Sequence, residues 1–216
     1  TLLGARIADD GQWRFPSPDS VPYKFTRALL AYEDNYFYYH PGVNPVSLFR
    51  ALKLNFKAGR VVSGGSTITM QVARMAGGNP ERTYARKLLE ILSALKLELL
   101  RSKHEILKMY AVNAPFGGST VGIEAASWRY FGTSCYNLSW AGAATLAVLP
   151  NSPSLVHPGK NRLQLKKKRD ALLKKLFEKG IIDTLTFSLS VEEPLPEEPS
   201  PLPDRSPHLT ARLFSG

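Results

Sequence analysis

At 216 residues, with 44% hydrophobic and 21% charged residues, the chain is long enough for one sizeable core and too apolar to be disordered. Its formal charge of +10 is unevenly spread: residues 192–204 hold five acids and no base, while residues 1–191 hold 26 Lys and Arg against 13 Asp and Glu, so the main body attracts anions such as phosphorylated substrates, anionic lipid or nucleic acid. The single cysteine, Cys135, excludes an internal disulfide and a cysteine-ligated metal site, and no run of ~18 apolar residues is present to span a membrane.

The chain opens without an initiator Met at Thr1-Leu2-Leu3, which reads as a fragment lacking an N-terminal anchor, and residues 1–19 form an entry segment with a turn at Asp9-Asp10-Gly11. Ser20 predicts the cap of a helix over residues 21–39, with Pro22 in its first turn. On such a helix Glu33, Phe37 and His40 share one face at i, i+4 and i+7, and Pro41-Gly42 ends it. Residues 46–60 are amphipathic, with Phe49, Leu52 and Phe56 in one stripe and Arg50, Lys53, Lys57 and Arg60 in another. Ser66 predicts a second cap, for a helix to Met75, and residues 82–112 form the longest helical pattern, broken near Arg101-Ser102. Gly117-Gly118 is a turn, and residues 121–131 and 139–149 are helices rich in small residues. A basic amphipathic helix over 163–179 stops at Gly180. Beyond Val191 the acidic, proline-rich run reads as an extended linker, which divides the chain into a domain over 20–185 and a linker over 186–216. Strand signals are weak throughout, so the fold class is mainly α.

Glu33 is the candidate general base. It sits beside Tyr36, Phe37, Tyr38 and Tyr39, and partial burial among aromatics raises a carboxyl pKa toward neutrality, as activation of a sugar hydroxyl requires. Taken alone it is better read as an ordinary exposed helix glutamate; the whole Glu-Asp-x-x-Phe-x-x-His-x-Gly pattern reverses that. Gly64-Gly65-Ser66-Thr67 opens a helix whose free backbone N–H groups suit a phosphate, with Thr67, Gln71 and Arg74 following on one face. No Gly-Lys-Ser/Thr follows, so this is not a nucleotide-hydrolysing loop. Arg86, Lys87 and Glu90 read either as a surface salt-bridge ladder or as a cationic site for a pyrophosphate leaving group with a second carboxylate. The four histidines, His40, His104, His157 and His208, lack ligand spacing, so no zinc site is proposed. Ser93-Ala94-Leu95-Lys96 has an acyl-transfer spacing but lies mid-helix without its partner motifs.

Five segments, in order, resemble the motifs of the peptidoglycan glycosyltransferases, the sugar-polymerising domains of class A penicillin-binding proteins. They are Glu33 to Gly42, Gly64 to Gln71, Arg86-Lys87-x-x-Glu90, Glu105-Ile106-Leu107-x-x-Tyr110 and Arg129-Tyr130-Phe131-Gly132. The resemblance covers about residues 20–185 and implies a lysozyme-like glycosyltransferase domain of two lobes around a cleft. It implies polymerisation of lipid II with inversion and release of polyprenyl pyrophosphate. Glu33 falls on the family's general base and Glu90 on its second carboxylate. Asp34, Phe37, His40, Ser66, Thr67, Gln71, Arg74, Arg86 and Lys87 fall on substrate-site positions, Arg74 standing where many members have Lys. The fourth motif departs at Val112, with Asn113 one place late, and Asn151 stands where some members carry a basic residue. No cofactor is required by this reading; a divalent cation, Mg or Mn, is an additional candidate at the pyrophosphate.

The implied partners are lipid II, the growing glycan chain and a transpeptidase domain in the full-length protein, at the periplasmic face of the bacterial inner membrane. Segment 46–60 is then either an interfacial helix at the bilayer surface or a surface helix packed on the core. Two other classes compete. A lytic glycan-cleaving enzyme on a related fold would need no cations at Arg74, Arg86 and Lys87. A basic nucleic-acid-binding module would place its aromatics along a basic groove rather than beside acids, so no nucleic acid is expected.

Overall fold

The computed structural model of the chain describes residues 11–58, 64–78, 83–150, 161–197 and 199–200. The expected turn residues Asp9 and Asp10, Arg60, Asn151 and the linker beyond Ser200 lie outside them. The described residues form α1 (Tyr23–Glu33), α2 (Pro45–Ala58), α3 (Ile68–Ala76), α4 (Tyr84–Leu100), α5 (Lys103–Asn113), α6 (Ile123–Phe131), α7 (Trp140–Val148), α8 (Arg162–Glu178) and α9 (Thr184–Glu192), with a 3-10 turn at Cys135–Asn137. Extended pairing among them is limited to isolated bridges, Trp13 with Thr120 and Pro115 with Val121. The mainly α class therefore holds, and none of these helices is long and apolar enough to cross a membrane.

The chain divides into two compact units, one of residues 1–28 and 115–216 and one of residues 29–114. In the first unit α7 is buried on nearly every side, because its Ala, Gly and Thr side chains let neighbouring helices approach closely. A Cβ on Gly142 would stand 3.1 Å from Leu138 Cδ2, so a larger residue there pushes on that contact. Leu165, Leu172, Leu173 and Leu176 of α8 supply the facing apolar side chains, and α7 packs against α8. Gly180, at φ +65°, stops α8 where the sequence placed the stop.

In the second unit α3 is central and packs against α4 and α5. The break between α4 and α5 falls where expected. Ser102 accepts from the Glu105 amide while the Glu105 carboxylate accepts from the Ser102 amide, a capping box that starts a new helix.

Four expectations are corrected. Ser20 does not cap α1: its amide and carbonyl are both engaged by the Tyr136 hydroxyl, and Pro22 O accepts the first helical bond. α1 ends at Glu33 rather than at residue 39, because residues 34–40 close tight turns (Phe37 N to Asp34 O, Tyr39 N to Tyr36 O) while the Asp34 side chain is drawn to the start of α3. Thr67, not Ser66, caps α3, its hydroxyl accepting from Met70 N. Finally, α9 runs through the expected boundary at residues 185 and 186, capped by Asp183. Leu195 is buried, the carbonyls of Leu195, Pro196 and Glu197 accept from Arg162, and those of Val191 and Glu193 accept from Arg169, so the start of the acidic run is docked rather than free.

Candidate active site

The candidate residues all fall in the 29–114 unit. Glu33, half-buried as the last residue of α1, accepts a 2.8 Å hydrogen bond from Gln71 Nε2. Gln71 is buried on α3, so the carboxylate is held by a side chain with little freedom. Asp34 turns the other way. Both its oxygens lie 3.0 Å from His40 Nε2, and Oδ2 also accepts from Ile68 N at 3.2 Å. A carboxylate accepts only, so His40 donates from Nε2; its Nδ1 is buried without a hydrogen-bond partner among the described residues. Phe37 is buried edge-on to the His40 ring, with centroids 6.3 Å apart.

The N-terminus of α3 therefore already holds an anion, the protein's own Asp34 carboxylate. Ile68 N serves Asp34 and Met70 N serves the Thr67 cap, so the expectation of a freely presented row of N–H groups is narrowed. Thr67 Oγ1 donates to Gly42 O at 2.5 Å, which ties the 34–42 turn to the same helix start.

Lys87 Nζ donates to Ser66 Oγ at 2.7 Å and to Glu90 Oε1 at 2.8 Å. The Glu90 side chain is 10% exposed, which is not the setting of a solvated surface ladder. Arg86 is exposed, and its guanidinium makes no hydrogen bond or ion pair with described residues. Arg74 is half-buried, and its charge acts on Tyr110, whose buried hydroxyl also lacks a hydrogen-bond partner among the described residues. Burial pushes the Tyr110 phenol well above its ordinary value; the Glu33 charge adds to that shift and Arg74 opposes it. Burial, then the Glu33 charge, raises Tyr32 likewise. Both phenols therefore stay protonated, and the Glu33 charge acts on each.

The structure brings the predicted residues together in two groups, Glu33 with Gln71 and Ser66 with Lys87 and Glu90, and adds Asp34 with His40 as a support under the first. Among the described residues no cluster of three His, Cys, Asp or Glu side chains could hold a metal ion by itself. Sequence reasoning missed Thr69, Glu98 and Lys103. Thr69 Oγ1 donates to Glu98 Oε1 at 2.6 Å, and Lys103 Nζ donates to Glu98 Oε1 at 2.8 Å and to His40 O at 2.7 Å. A basic residue two places before Glu105 of the fourth motif was the one available signal.

The mainly helical fold thus sets a held carboxylate and a separate lysine–carboxylate group in one compact unit. Residues 4–177 match the family described as Transglycosylase, and the chain belongs to it. It is 43% identical to penicillin-binding protein 1C of Escherichia coli K12, over 98% of this chain and 27% of that protein. It is 37% identical to penicillin-binding protein 1A of Aquifex aeolicus, over 84% and 25%, and 40% identical to that of Pseudomonas aeruginosa, over 81% and 21%. A crystal structure of penicillin-binding protein 1A from Haemophilus influenzae shares the fold at a TM-score of 0.51 and 19% identity, over 94% of this chain and 21% of that one. The chain thus spans about a quarter of the length of the relatives it matches.

Proposed function

We propose that the chain is a peptidoglycan glycosyltransferase that polymerises lipid II. The observation that carries this reading is the half-buried Glu33 carboxylate, held by the buried Gln71 side chain at 2.8 Å, in a unit that also carries Lys87, Arg74 and Arg86. Glu33 takes the proton of the acceptor's 4-hydroxyl. The oxygen attacks the anomeric carbon of the growing chain from the face opposite the leaving group, so configuration inverts. The bond to the lipid pyrophosphate breaks, and its electron pair leaves on the phosphate oxygen. Lys87, steered by Glu90 and Ser66, and the two arginines neutralise that charge. Asp34 and His40 hold the turn; Phe37 fills it.

The polyprenyl substrate brings the enzyme to the periplasmic face of a bilayer. On α2, Phe49 is 71% and Phe56 92% exposed, with Arg50, Lys53 and Lys57 alongside, which favours an interfacial helix over one packed on the core. Within a longer protein a transpeptidase domain is the expected neighbour, as the relatives' class implies.

Lipid II turnover by the chain in detergent, with and without moenomycin, the family's inhibitor, tests the reading. Moenomycin-sensitive glycan polymer is expected, and fragments released from preformed peptidoglycan instead would favour the lytic alternative. Because side-chain cations do the neutralising, polymerisation persists in EDTA. Loss in EDTA that Mg or Mn restores would give that role to a divalent cation.

A further inference from the structure

We infer that Lys103 is a positioning residue for the transfer reaction, closing a ring of hydrogen bonds that fixes the turn after Glu33 against the helix that carries Gln71. The inference rests on the proposed polymerase reading and adds a residue to it. Starting at Lys103, the ammonium donates to the His40 carbonyl; the His40 ring donates to Asp34; Asp34 accepts from Ile68 N; one residue on, Thr69 donates to Glu98; and Glu98 accepts from Lys103. The ring joins three stretches far apart in sequence: the 34–40 turn, the first turn of α3, and the α4–α5 junction that carries Glu98 and Lys103.

Each member is poorly placed to find another partner. Thr69 is fully buried, and the Lys103 and Glu98 side chains are 22% and 9% exposed. The ammonium also lies 4.5 Å from the centroid of the Phe37 ring, an attraction that strengthens as water is excluded. Lys103 itself is fixed at the first position of α5 by the Ser102 capping box. The junction is tight: at Gly42, φ +86°, a Cβ would stand 2.8 Å from Glu98 Cγ and 2.9 Å from the Ala94 carbonyl. A slack ring lets the 34–42 turn move away from α3. Glu33 precedes the ring at Asp34, and Gln71 follows it by two residues from Thr69, so slack appears as a wider Glu33–Gln71 separation. Misplacement by about 1 Å can cost about 10²-fold in rate.

The test compares Lys103→Met, Lys103→Arg, Thr69→Val and the Lys103→Met/Thr69→Val pair in the full chain, with Lys174→Ala, which removes an exposed ion pair on α8, as control. Polymerisation of lipid II is followed well below the melting temperature, and amide hydrogen exchange is read at Ile68. We expect Lys103→Met to lose about 10²-fold in kcat with KM unchanged and Ile68 to exchange faster. Lys103→Arg recovers most of the rate, and the double variant is no slower than Lys103→Met, since both changes open one ring. A folded Lys103→Met with wild-type kcat and only a lowered melting temperature overturns the inference, as does full additivity with Thr69→Val. Should Lys103→Met fail to fold, Thr69→Val decides: reduced kcat at unchanged KM supports the ring and wild-type kcat overturns it. Absence of polymer from the wild-type chain would refute the polymerase reading instead; Ile68 exchange in Lys103→Met would then still decide whether the ring exists.

Discussion

The two compact units differ in which polar side chains they bury. The 115–216 part of the first buries leucines and alanines around α7, with Arg169 as its one large buried charge among the described residues. The 29–114 unit buries Asp34, His40, Asn44, Thr67, Thr69 and Gln71, and leaves Leu88, Leu89, Leu92, Leu99 and Leu100 of α4 and Phe49 and Phe56 of α2 exposed. Burying a polar side chain is unfavourable unless it is hydrogen-bonded, and an exposed apolar helix face gains nothing from water. The first unit also exposes apolar side chains, Leu163, Leu185 and Leu189, and buries Ser127, Thr145 and Arg169. What differs is the use of the buried polar groups: in the 29–114 unit Asp34, His40, Thr67 and Gln71 belong to the candidate site, whereas those of the first unit belong to none, so changes there should act on stability alone.

The strongest way to sharpen this contrast is at the base. Glu33→Gln keeps the shape and the Gln71 contact partner but removes the proton acceptor, so polymerisation should fall by about 10²–10⁴-fold with the melting temperature unchanged. Unaltered turnover in a folded variant would remove Glu33 from the mechanism. Glu90→Gln should also cost activity heavily, because Lys87 loses the charge that orients it. A loss smaller than about threefold would return Lys87 and Glu90 to a surface ladder.

Arg169→Met probes the opposite unit. The guanidinium donates to Val191 O and Glu193 O and pairs with Asp170 at 2.9 Å, all with its side chain 1% exposed. Its loss leaves two carbonyls without partners, for a destabilisation of about 2–4 kcal/mol in chemical denaturation. Turnover per folded molecule should not change. A drop in kcat without loss of stability would break the division of labour between the units.

How far the sequence carried these conclusions varies by element. The α4–α5 break at Ser102 was legible because the capping box is local. The Glu33, Gln71, Lys87 and Glu90 positions were legible through spacing and resemblance. The turn at 34–40 was not, because Glu33, Phe37 and His40 mimic helical spacing, and capture of Asp34 by Ile68 N, 34 residues away, decides the backbone. Helix α9 was hidden by a Thr- and Ser-rich run of weak helix propensity, although Asp183 was a readable cap. Thr69, in the first turn of α3, and Glu98, in the last turn of α4, are 29 residues apart, and their partnership exists only in space.

A milder change tests the exposed face. Replacing Phe49 and Phe56 together by Ser removes the largest apolar groups from α2 while leaving Arg50, Lys53 and Lys57 in place. Binding to vesicles of anionic and zwitterionic lipid should weaken by about tenfold or more, with stability unchanged, since neither ring is in the core. Retained binding that falls only with salt would assign membrane attachment to the lysines and arginines instead.

The smallest expected effect concerns the helix that presents Lys103. The backbone and side-chain hydrogen bonds from Ser102, with a contribution from Arg101, hold the Glu105 carboxyl below its ordinary value of 4.5. A carboxyl whose pKa is depressed by folding contributes stability above its unfolded value, and that contribution is lost as pH falls through the lowered folded value. Protection factors of the amides in the first turn of α5, taken relative to intrinsic exchange at each pH, should therefore fall on acidification below pH 4.5. Ser102→Ala should cost about 1 kcal/mol near neutrality and flatten that acid response. If the positioning ring is real, the same variant should lower kcat modestly, because Lys103 then starts from a frayed turn. An α5 that frays while kcat stays constant would mean that the ammonium is held by Glu98 and the His40 carbonyl without help from its own helix.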